Sequence, residues 1–489
     1  MKKKLLTHLC FFLSLSAFAI GDADFAGGNG TQLDPWQITT AAQLDAVRNN
    51  NGTNTGVKYF KLMNDIDLNN LPMTDTGNWT PISTSAAFID FDGNGYVIKN
   101  LTIIKGTTTS PNYQSFAGVL QGSIRNLGLV NVNIDAPKVG SCGAFAGYVG
   151  GAKPGANSYA TGRIENCYAT GYISSGGAAG GIAGYVGRHA NDGTPSYIKN
   201  CYFSGQLYNS YTGTGLSAFT GGIAGGVLVH DIESATTTAP IQNCYATGYF
   251  EAEKQKVGGI VGYTEARIKD CVSYANLMVK DEANDYIGLI TGYCTNGPKG
   301  IASGTTATTY GVIDNCYAYD GTTMTKGSNA VIPQNLTTPL AGNISPVDGT
   351  LKDLAYLTTP INYYTQINFP MAGEQALWSQ TLNGKYLRLL WLSERSDSDS
   401  IDGLSNVPTS VEENNFSNKP VVFSSGDLIV FRNITEPFDV TIFDMTGKEL
   451  KRINLNGESA SVVISSTPIV IVRMLGKSGA TINTKIVKK

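Results

Sequence analysis

Ile164-Glu165-Asn166-Cys167-Tyr168-Ala169-Thr170-Gly171 returns as Ile198-Lys199-Asn200-Cys201-Tyr202, Ile241-Gln242-Asn243-Cys244-Tyr245-Ala246-Thr247-Gly248, Ile268-Lys269-Asp270-Cys271 and Ile313-Asp314-Asn315-Cys316-Tyr317. A second phrase alternates with it: Gly143-Ala144-Phe145-Ala146-Gly147-Tyr148, Gly181-Ile182-Ala183-Gly184-Tyr185, Gly222-Ile223-Ala224-Gly225, Gly259-Ile260-Val261-Gly262-Tyr263 and Gly288-Leu289-Ile290-Thr291-Gly292-Tyr293. Its last glycine falls at 147, 184, 225, 262 and 292, so the spacings are 37, 41, 37 and 30 residues. Elastic spacing around constant phrases is the mark of a solenoid whose loops vary while its strands stay in register.

The residue after each Ile is polar, as expected when Ile points inward along a strand and its neighbour outward. Ile and Cys are three apart, so strict alternation would send them to opposite faces. A bend at the intervening Asn lets both face the core, and Asn suits it because it tolerates left-handed backbone and its amide can bond to the next coil. Two earlier copies, Ile98-Lys99-Asn100-Leu101 and Ile124-Arg125-Asn126-Leu127, place Leu in the Cys slot and mark that slot as buried. The five cysteines then stack about 4.8 Å apart with side chains pointing the same way, a column of small buried hydrophobes and no disulfides.

The chain has 489 residues, with 35 basic against 38 acidic, and 57 glycines, about 12% where roughly 7% is usual. That composition disfavours long helices, and the acidic balance excludes the basic stripe of a nucleic-acid binder. Lys2 to Lys4, the apolar run Leu5 to Ser16 and Ala17-Phe18-Ala19 read as a signal peptide cleaved near Ala19, so residues 1–19 are expected to be lost and the protein to be secreted or held at the outer surface. After it, no apolar run is long enough to span a bilayer.

Residues 20–392 are expected to form one solenoid with an N-terminal cap. In that cap, Thr39 or Thr40 opens a short helix carrying Leu44 and Val47, ahead of strands at Tyr59-Phe60-Lys61-Leu62 and Ile66-Asp67-Leu68. Each repeat should make one three-sided coil, and Trp378 with Tyr386-Leu387-Arg388-Leu389-Leu390-Trp391 a last apolar coil. Ser393 to Ser400 is polar and unpatterned, so 393–419 reads as a linker. From 420 to 489, short apolar runs at Leu428–Phe431, Val440–Phe443, Val462–Ile464, Ile469–Val472 and Lys485–Val487, separated by turn signals, suggest a small β-sandwich.

The alternating phrases, together with Asn64-Asp65-Ile66-Asp67-Leu68, Trp79-Thr80-Pro81-Ile82 and Phe91-Asp92-Gly93-Asn94-Gly95-Tyr96, resemble GLUG-motif β-helix proteins of bacterial, especially Bacteroidetes, cell surfaces. The resemblance implies an all-β chain, a right-handed parallel β-helix, export and an adhesin-like role. The end of the chain is similar to the sorting domains of type IX secretion cargo in Ile442-Phe443-Asp444-Met445-Thr446-Gly447-Lys448-Glu449-Leu450 and Lys485-Ile486-Val487-Lys488-Lys489, although no Asn-Pro pair opens it. That likeness implies export machinery as a partner.

Chemistry is sparse. Parallel β-helices often carry polysaccharide lyases or hydrolases, which need paired carboxylates or a base beside a uronate. Asp231 with Glu233, and Asp281, Glu282 and Asp285, are the acids available, and none sits in a catalytic phrase. Asp90-Phe91-Asp92-Gly93-Asn94-Gly95 imitates the start of a calcium loop, but Leu101 stands where a bidentate Glu is required, so a tight turn with positive φ at Gly93 and Gly95 is expected. No C-x-x-C, H-E-x-x-H, G-x-S-x-G or P-loop phrase occurs, so no metal, cofactor or catalytic residue is assigned. Two tyrosine rows remain, Tyr148, Tyr185 and Tyr263 after the glycine phrase, and Tyr168, Tyr202, Tyr245 and Tyr317 after Cys. An exposed row could stack on sugar rings, and a buried one is a core ladder, the reading preferred from sequence. The expected function is binding of polysaccharide or another extracellular macromolecule without catalysis, with the polysaccharide-degrading enzyme as the alternative.

Overall fold

A computed structural model describes residues 24–404 and 421–487, apart from 54–55, 71–77, 107–108, 110–111, 152–160, 188–195, 214–217, 229–238, 282–285, 295–312, 335–344, 372–375, 381–385, 426–427, 433–436, 445, 457–458, 465–468 and 478–480. The signal peptide, His189, His230, Asp231, Glu233, Glu282 and Asp285 therefore lie outside the described residues. So do 405–419 of the expected linker.

The repeat phrases build stacked coils of parallel strands, a parallel β-helix. One coil runs through Gly162–Glu165, Tyr168–Ser175, Ala178–Gly180 and Ala183–Val186, and each segment pairs in parallel with its counterpart in the next coil, Tyr197–Lys199, Tyr202–Asn209, Phe219–Gly221 and Ala224–Val227. Each repeat is one coil, including the shortest, whose strands pair in parallel on both sides. The coil has four strand segments, which correspond to four stacked sheets, where three sides were expected. The extra corner lies inside the glycine phrase, between Gly180 and Ala183. There the Gly184 backbone runs so close to the third sheet that a Cβ would sit 2.1 Å from Ser141 Oγ.

The Asn corner forms as its chemistry requires. Asn126, Asn166, Asn200, Asn243, Asp270 and Asn315 adopt φ between 51° and 53°. Part of the column is an amide ladder: Asn126 Nδ2 donates to Asp92 (3.1 Å), Asn166 Nδ2 to Asn126 (3.3 Å) and Asn315 Nδ2 to Asp270 (2.8 Å). Across it, Ile124, Ile164, Ile198, Ile241, Ile268 and Ile313 pair in register and are buried. One alignment needs correction. Ile98 pairs with Leu129 in the second sheet, so Ile98-Lys99-Asn100-Leu101 marks another corner, with Asn100 at φ 63°. Any inward-facing pair around a left-handed Asn writes the same phrase. Phe91 is the residue in register with Ile124.

The seven described cysteines are buried, and none of them is disulfide-bonded. Leu127 and Cys167 occupy the same slot in adjacent coils, since Gly128 pairs with Tyr168. Cys244→Ser should cost roughly 1 to 3 kcal/mol, because a hydroxyl replaces a polarizable thiol in an apolar column. Cys244→Val should cost less. Urea denaturation of both variants decides it, and a Ser variant as stable as the parent would contradict the claim.

At the N-terminal end, helix Ala41–Ala46 is capped by Thr40, whose Oγ1 accepts from Gln43 N while the Gln43 side chain accepts from Thr40 N, both at 3.2 Å. Leu44 and Val47 join the core beside Trp36 and Phe60. Parallel coiling ends at Thr350–Lys352, and Ser345–Val347 pairs antiparallel with the last strand of the fourth sheet.

Beyond Lys352 the chain departs from the expected final coil and linker. Trp378–Gln380 and Leu387–Leu389 form an antiparallel hairpin, succeeded by short helices at Leu390–Ser393 and Ser398–Ile401. Residues 393–404 pack on the coils. Their acids read as solvated spacers, yet Asp399 and Asp402 neutralise Arg388, which is 2% exposed, and Arg395 reaches Asp65. Contacts divide the chain between Val407 and Pro408.

The second unit holds two antiparallel sheets. Val421–Ser425, Leu428–Arg432 and Ser459–Val463 form one, and Glu449–Leu455, Phe438–Phe443, Ile469–Gly476 and Thr481–Val487 the other. Ile429, Phe431, Val440, Ile442, Val470 and Val472 belong to one apolar cluster shared by both sheets.

Candidate functional site

The two tyrosine rows meet different fates. Tyr168, Tyr202 and Tyr245 project outward from the second sheet and stack with centroids 4.9 Å apart and rings within 11° of parallel. In a parallel sheet, residues in register recur at the strand spacing, so a Tyr at the same place in each coil stacks without further design. All three are buried by the returning segment around 354–404, in a cluster separate from the coil interior. Burial was the expectation, but the covering is this segment and not the solenoid's inside. Tyr317 is half-buried and stacks on Tyr356 instead (6.2 Å). Desolvation pushes the hydroxyls of Tyr168, Tyr202 and Tyr245 well above the usual phenol range.

The second row runs along the corner between the third and fourth sheets. Tyr148 and Tyr185 are half-buried, with centroids 6.1 Å apart. The row continues to Tyr113 on one side (6.0 Å), and on the other through Phe219 (6.0 Å from Tyr185), Tyr263 (4.8 Å) and Tyr293 (5.3 Å). The glycine phrase explains this placement: Ala183 and Val186 face the core while Tyr185 does not. Tyr113 and Phe219 escape the sequence reading because they come from the third sheet, outside that phrase. Lys256 Nζ lies 4.9 Å from the Phe219 ring and 4.8 Å from the Tyr293 ring, and Tyr263 donates its hydroxyl hydrogen bond to Glu265. Burial of the Tyr185 ring, foremost, holds its hydroxyl above the ordinary phenol range. Phe219, Tyr263 and Tyr293 are themselves buried, so the part of the row that solvent reaches is its half-buried Tyr113, Tyr148 and Tyr185 end, where rings and hydroxyls are available for stacking and hydrogen bonding.

The acids offer no comparable arrangement. Asp281 pairs with Lys254 at 2.9 Å. In the Asp90–Gly95 turn, Asp92 accepts from Asn94 N at 2.8 Å and pairs with Arg125, and Asp90 also binds Arg125, so both carboxylates are spent on structure. Positive φ falls on Asn94 (54°) and Gly95 (79°), which corrects the expectation for Gly93. Gly93 is needed for a different reason, since a Cβ there would lie 2.4 Å from Asn126 O. Among the described residues no group of three or more His, Cys, Asp or Glu is placed to hold a metal ion, and no helix is long and apolar enough to cross a membrane. No histidine falls within the described residues.

No protein-family model matches the chain. A crystal structure described as a putative immunoglobulin A1 protease from Bacteroides ovatus aligns with a TM-score of 0.59 and 31% identity, covering 75% of this chain and 96% of that one. A protein from Evansella cellulosilytica named "Putative Gly-rich membrane protein" is 37% identical over 134 residues, 26% of this chain and 15% of that protein's length. A structure named IgA1 Protease aligns at a TM-score of 0.30 with 12% identity, too low to carry an argument.

Proposed function

The chain belongs to the family of the Bacteroides ovatus protein described as an immunoglobulin A1 protease, and from that premise we propose that it is an exported surface β-solenoid that binds an extended polysaccharide at the corner formed by Tyr113, Tyr148 and Tyr185 without cleaving it. The observation that supports this is the row itself: six aromatic rings in sequence, each 4.8 to 6.1 Å from the next, cross successive coils at one corner, and the Tyr113, Tyr148 and Tyr185 end of it is open to solvent. Aromatic faces contribute contact area at little entropic cost, and Tyr adds a hydroxyl for polar partners. A sheet repeat near 4.8 Å sets rings at intervals matched to a linear polymer more readily than to a compact ligand.

The same reading takes the coils as right-handed and the phrases as GLUG motifs. It takes residues 1–19 as an export signal and the two sheets after Pro408 as a β-sandwich that serves sorting or attachment at the cell surface.

A second reading, proteolysis of an immunoglobulin, draws on the description of the Bacteroides ovatus relative. Fold kinship alone does not transfer a reaction, which has to be argued from a site. One experiment separates the two. The mature protein is incubated with a panel of soluble and insoluble polysaccharides and with immunoglobulin A1, scoring retention, new reducing or unsaturated ends, and peptide fragments. Retention on a polysaccharide with no new ends and no fragments is expected. Catalytic turnover of either substrate class overturns the binding assignment.

A further inference from the structure

The segment 354–404 is attached to the coils in an unusual way. Its described residues make no backbone-to-backbone hydrogen bond with any coil strand. Coil side chains instead reach its carbonyls: Tyr274 Oη donates to Leu357 O (3.0 Å), Tyr245 Oη to Leu387 O (2.5 Å), Tyr202 Oη to Asp402 O (3.1 Å) and Ser204 Oγ to Gly403 O (2.7 Å). In the other direction Trp391 Nε1 donates to Asn166 O (3.0 Å).

Its apolar side chains form one cluster with the outward tyrosines, and that cluster is distinct from the one filling the coils. The coil interior is therefore complete without the segment. The interface is also imperfectly satisfied. Tyr168 Oη, Trp378 Nε1 and Ser379 Oγ are buried and find no hydrogen-bond partner among the described residues. Polar groups left dry in this way oppose the apolar gain of the contact.

Beside the apolar contact, an electrostatic tie sits near the segment's end. Arg395 binds Asp65 bidentately, at 2.9 Å to Oδ1 and 2.7 Å to Oδ2, and holds Asp397 at 2.9 Å. Planar Arg–carboxylate pairs are both strong and geometrically specific. Asp65 belongs to the first coils and lies 330 residues away in the chain, so this pair, with a second bond from Arg395 to Gly95 O at 3.3 Å, ties the returning segment to the far end of the stack.

We propose that the described residues of 354–404 form a separable clasp, latched by Arg395 on Asp65, that lifts from the second sheet as a unit while the coils stay folded. Opening uncovers the ring edges and hydroxyls of the three stacked tyrosines. Elements joined to a fold by few backbone hydrogen bonds open at lower free energy than its core, and a contact with its own cluster opens without breaching that core.

Two chemical probes on the full chain read the two layers separately. N-acetylimidazole reports access to Tyr202 and Tyr245 beneath the clasp, and iodoacetamide reports access to Cys201 and Cys244 inside the coils. In Arg395→Ala, acetylation of the two tyrosines should rise at least about 10-fold over the parent while both thiols stay unlabelled. Arg395→Lys, which keeps the charge but loses the fork, should fall between them. Hydrogen exchange on the unmutated chain is the second measurement: clasp amides should exchange at least about 100-fold faster than those of Ile198–Lys199 and Tyr245–Thr247. Equal exchange in clasp and coils, tyrosines and thiols becoming reactive together, or unchanged acetylation in Arg395→Ala would overturn the proposal.

Discussion

Replacing Gly248 by Ala is expected to cost about 3 kcal/mol or more. Two independent penalties combine there. Gly248 has φ +128°, which an L side chain rarely adopts, and an added Cβ would sit 1.8 Å from Gly205 O in the coil below. Backbone cannot retreat as a flexible side chain can, because Gly171, Gly205 and Gly248 stack in register and the hydrogen-bonded ladder fixes their separation. The next residue in that column is Ala275, so the following coil already accommodates the methyl group. Ala275→Gly serves as the control and should cost no more than about 1 kcal/mol. Urea denaturation of both variants decides it, and a Gly248→Ala protein within about 1 kcal/mol of the parent would contradict such close stacking of the glycine column.

Alkaline pH should destabilise the coils steeply, with stability flat up to about pH 9. Burial pushes the Cys142 and Cys294 thiols up to about 12, from 9.0 in the unfolded chain. Tyr168, Tyr202, Tyr245 and Tyr274 move upward from 10.0 for the same reason, and because residues 354–404 bury them, their ionisation acts first on that contact and the thiols act on the coils. Below pH 9 both states keep these protons and nothing changes. Above it the unfolded chain releases protons that the folded chain retains, so the equilibrium shifts toward unfolding. Each group contributes about 1.4 kcal/mol per pH unit between its unfolded and folded values, so the two thiols alone account for roughly 5 kcal/mol at about pH 11. Urea midpoints measured from about pH 7 to pH 11 test this. A midpoint that holds steady to about pH 11 would mean that these groups meet water in the folded state.

Much of the coil was readable because its determinants are local. Ile164 and Cys167 flank an Asn that must turn left-handed to put both inside, and φ 53° at Asn166 is that turn. The number of strand segments was harder to read. The corner between Gly180 and Ala183 lies within a run of small residues, where alternation of apolar and polar side chains carries no signal. The clasp could not be read at all from local pattern. Arg395, Asp397 and Asp402 sit in a polar stretch, and only their partners Asp65 and Arg388, one of them near the other end of the chain, turn that stretch into a buried contact. The tyrosine rows were visible as columns. Their fates were not, since periodicity tells inside from outside on a strand but cannot say which outer face a later segment will cover.

The most direct test of the binding account is a titration of the best-retained polysaccharide against the parent chain and against Tyr185→Ala, with Tyr317→Ala as a control outside the row. Truncating one stacking ring at the middle of a binding surface typically costs about 1 to 3 kcal/mol, or roughly 5- to 150-fold in affinity. On this account a loss in that range is expected for Tyr185→Ala and an unchanged affinity for Tyr317→Ala, with both variants still unfolding cooperatively but somewhat less stable than the parent because each loses ring contacts. Equal affinity of Tyr185→Ala and the parent for that polysaccharide would contradict it.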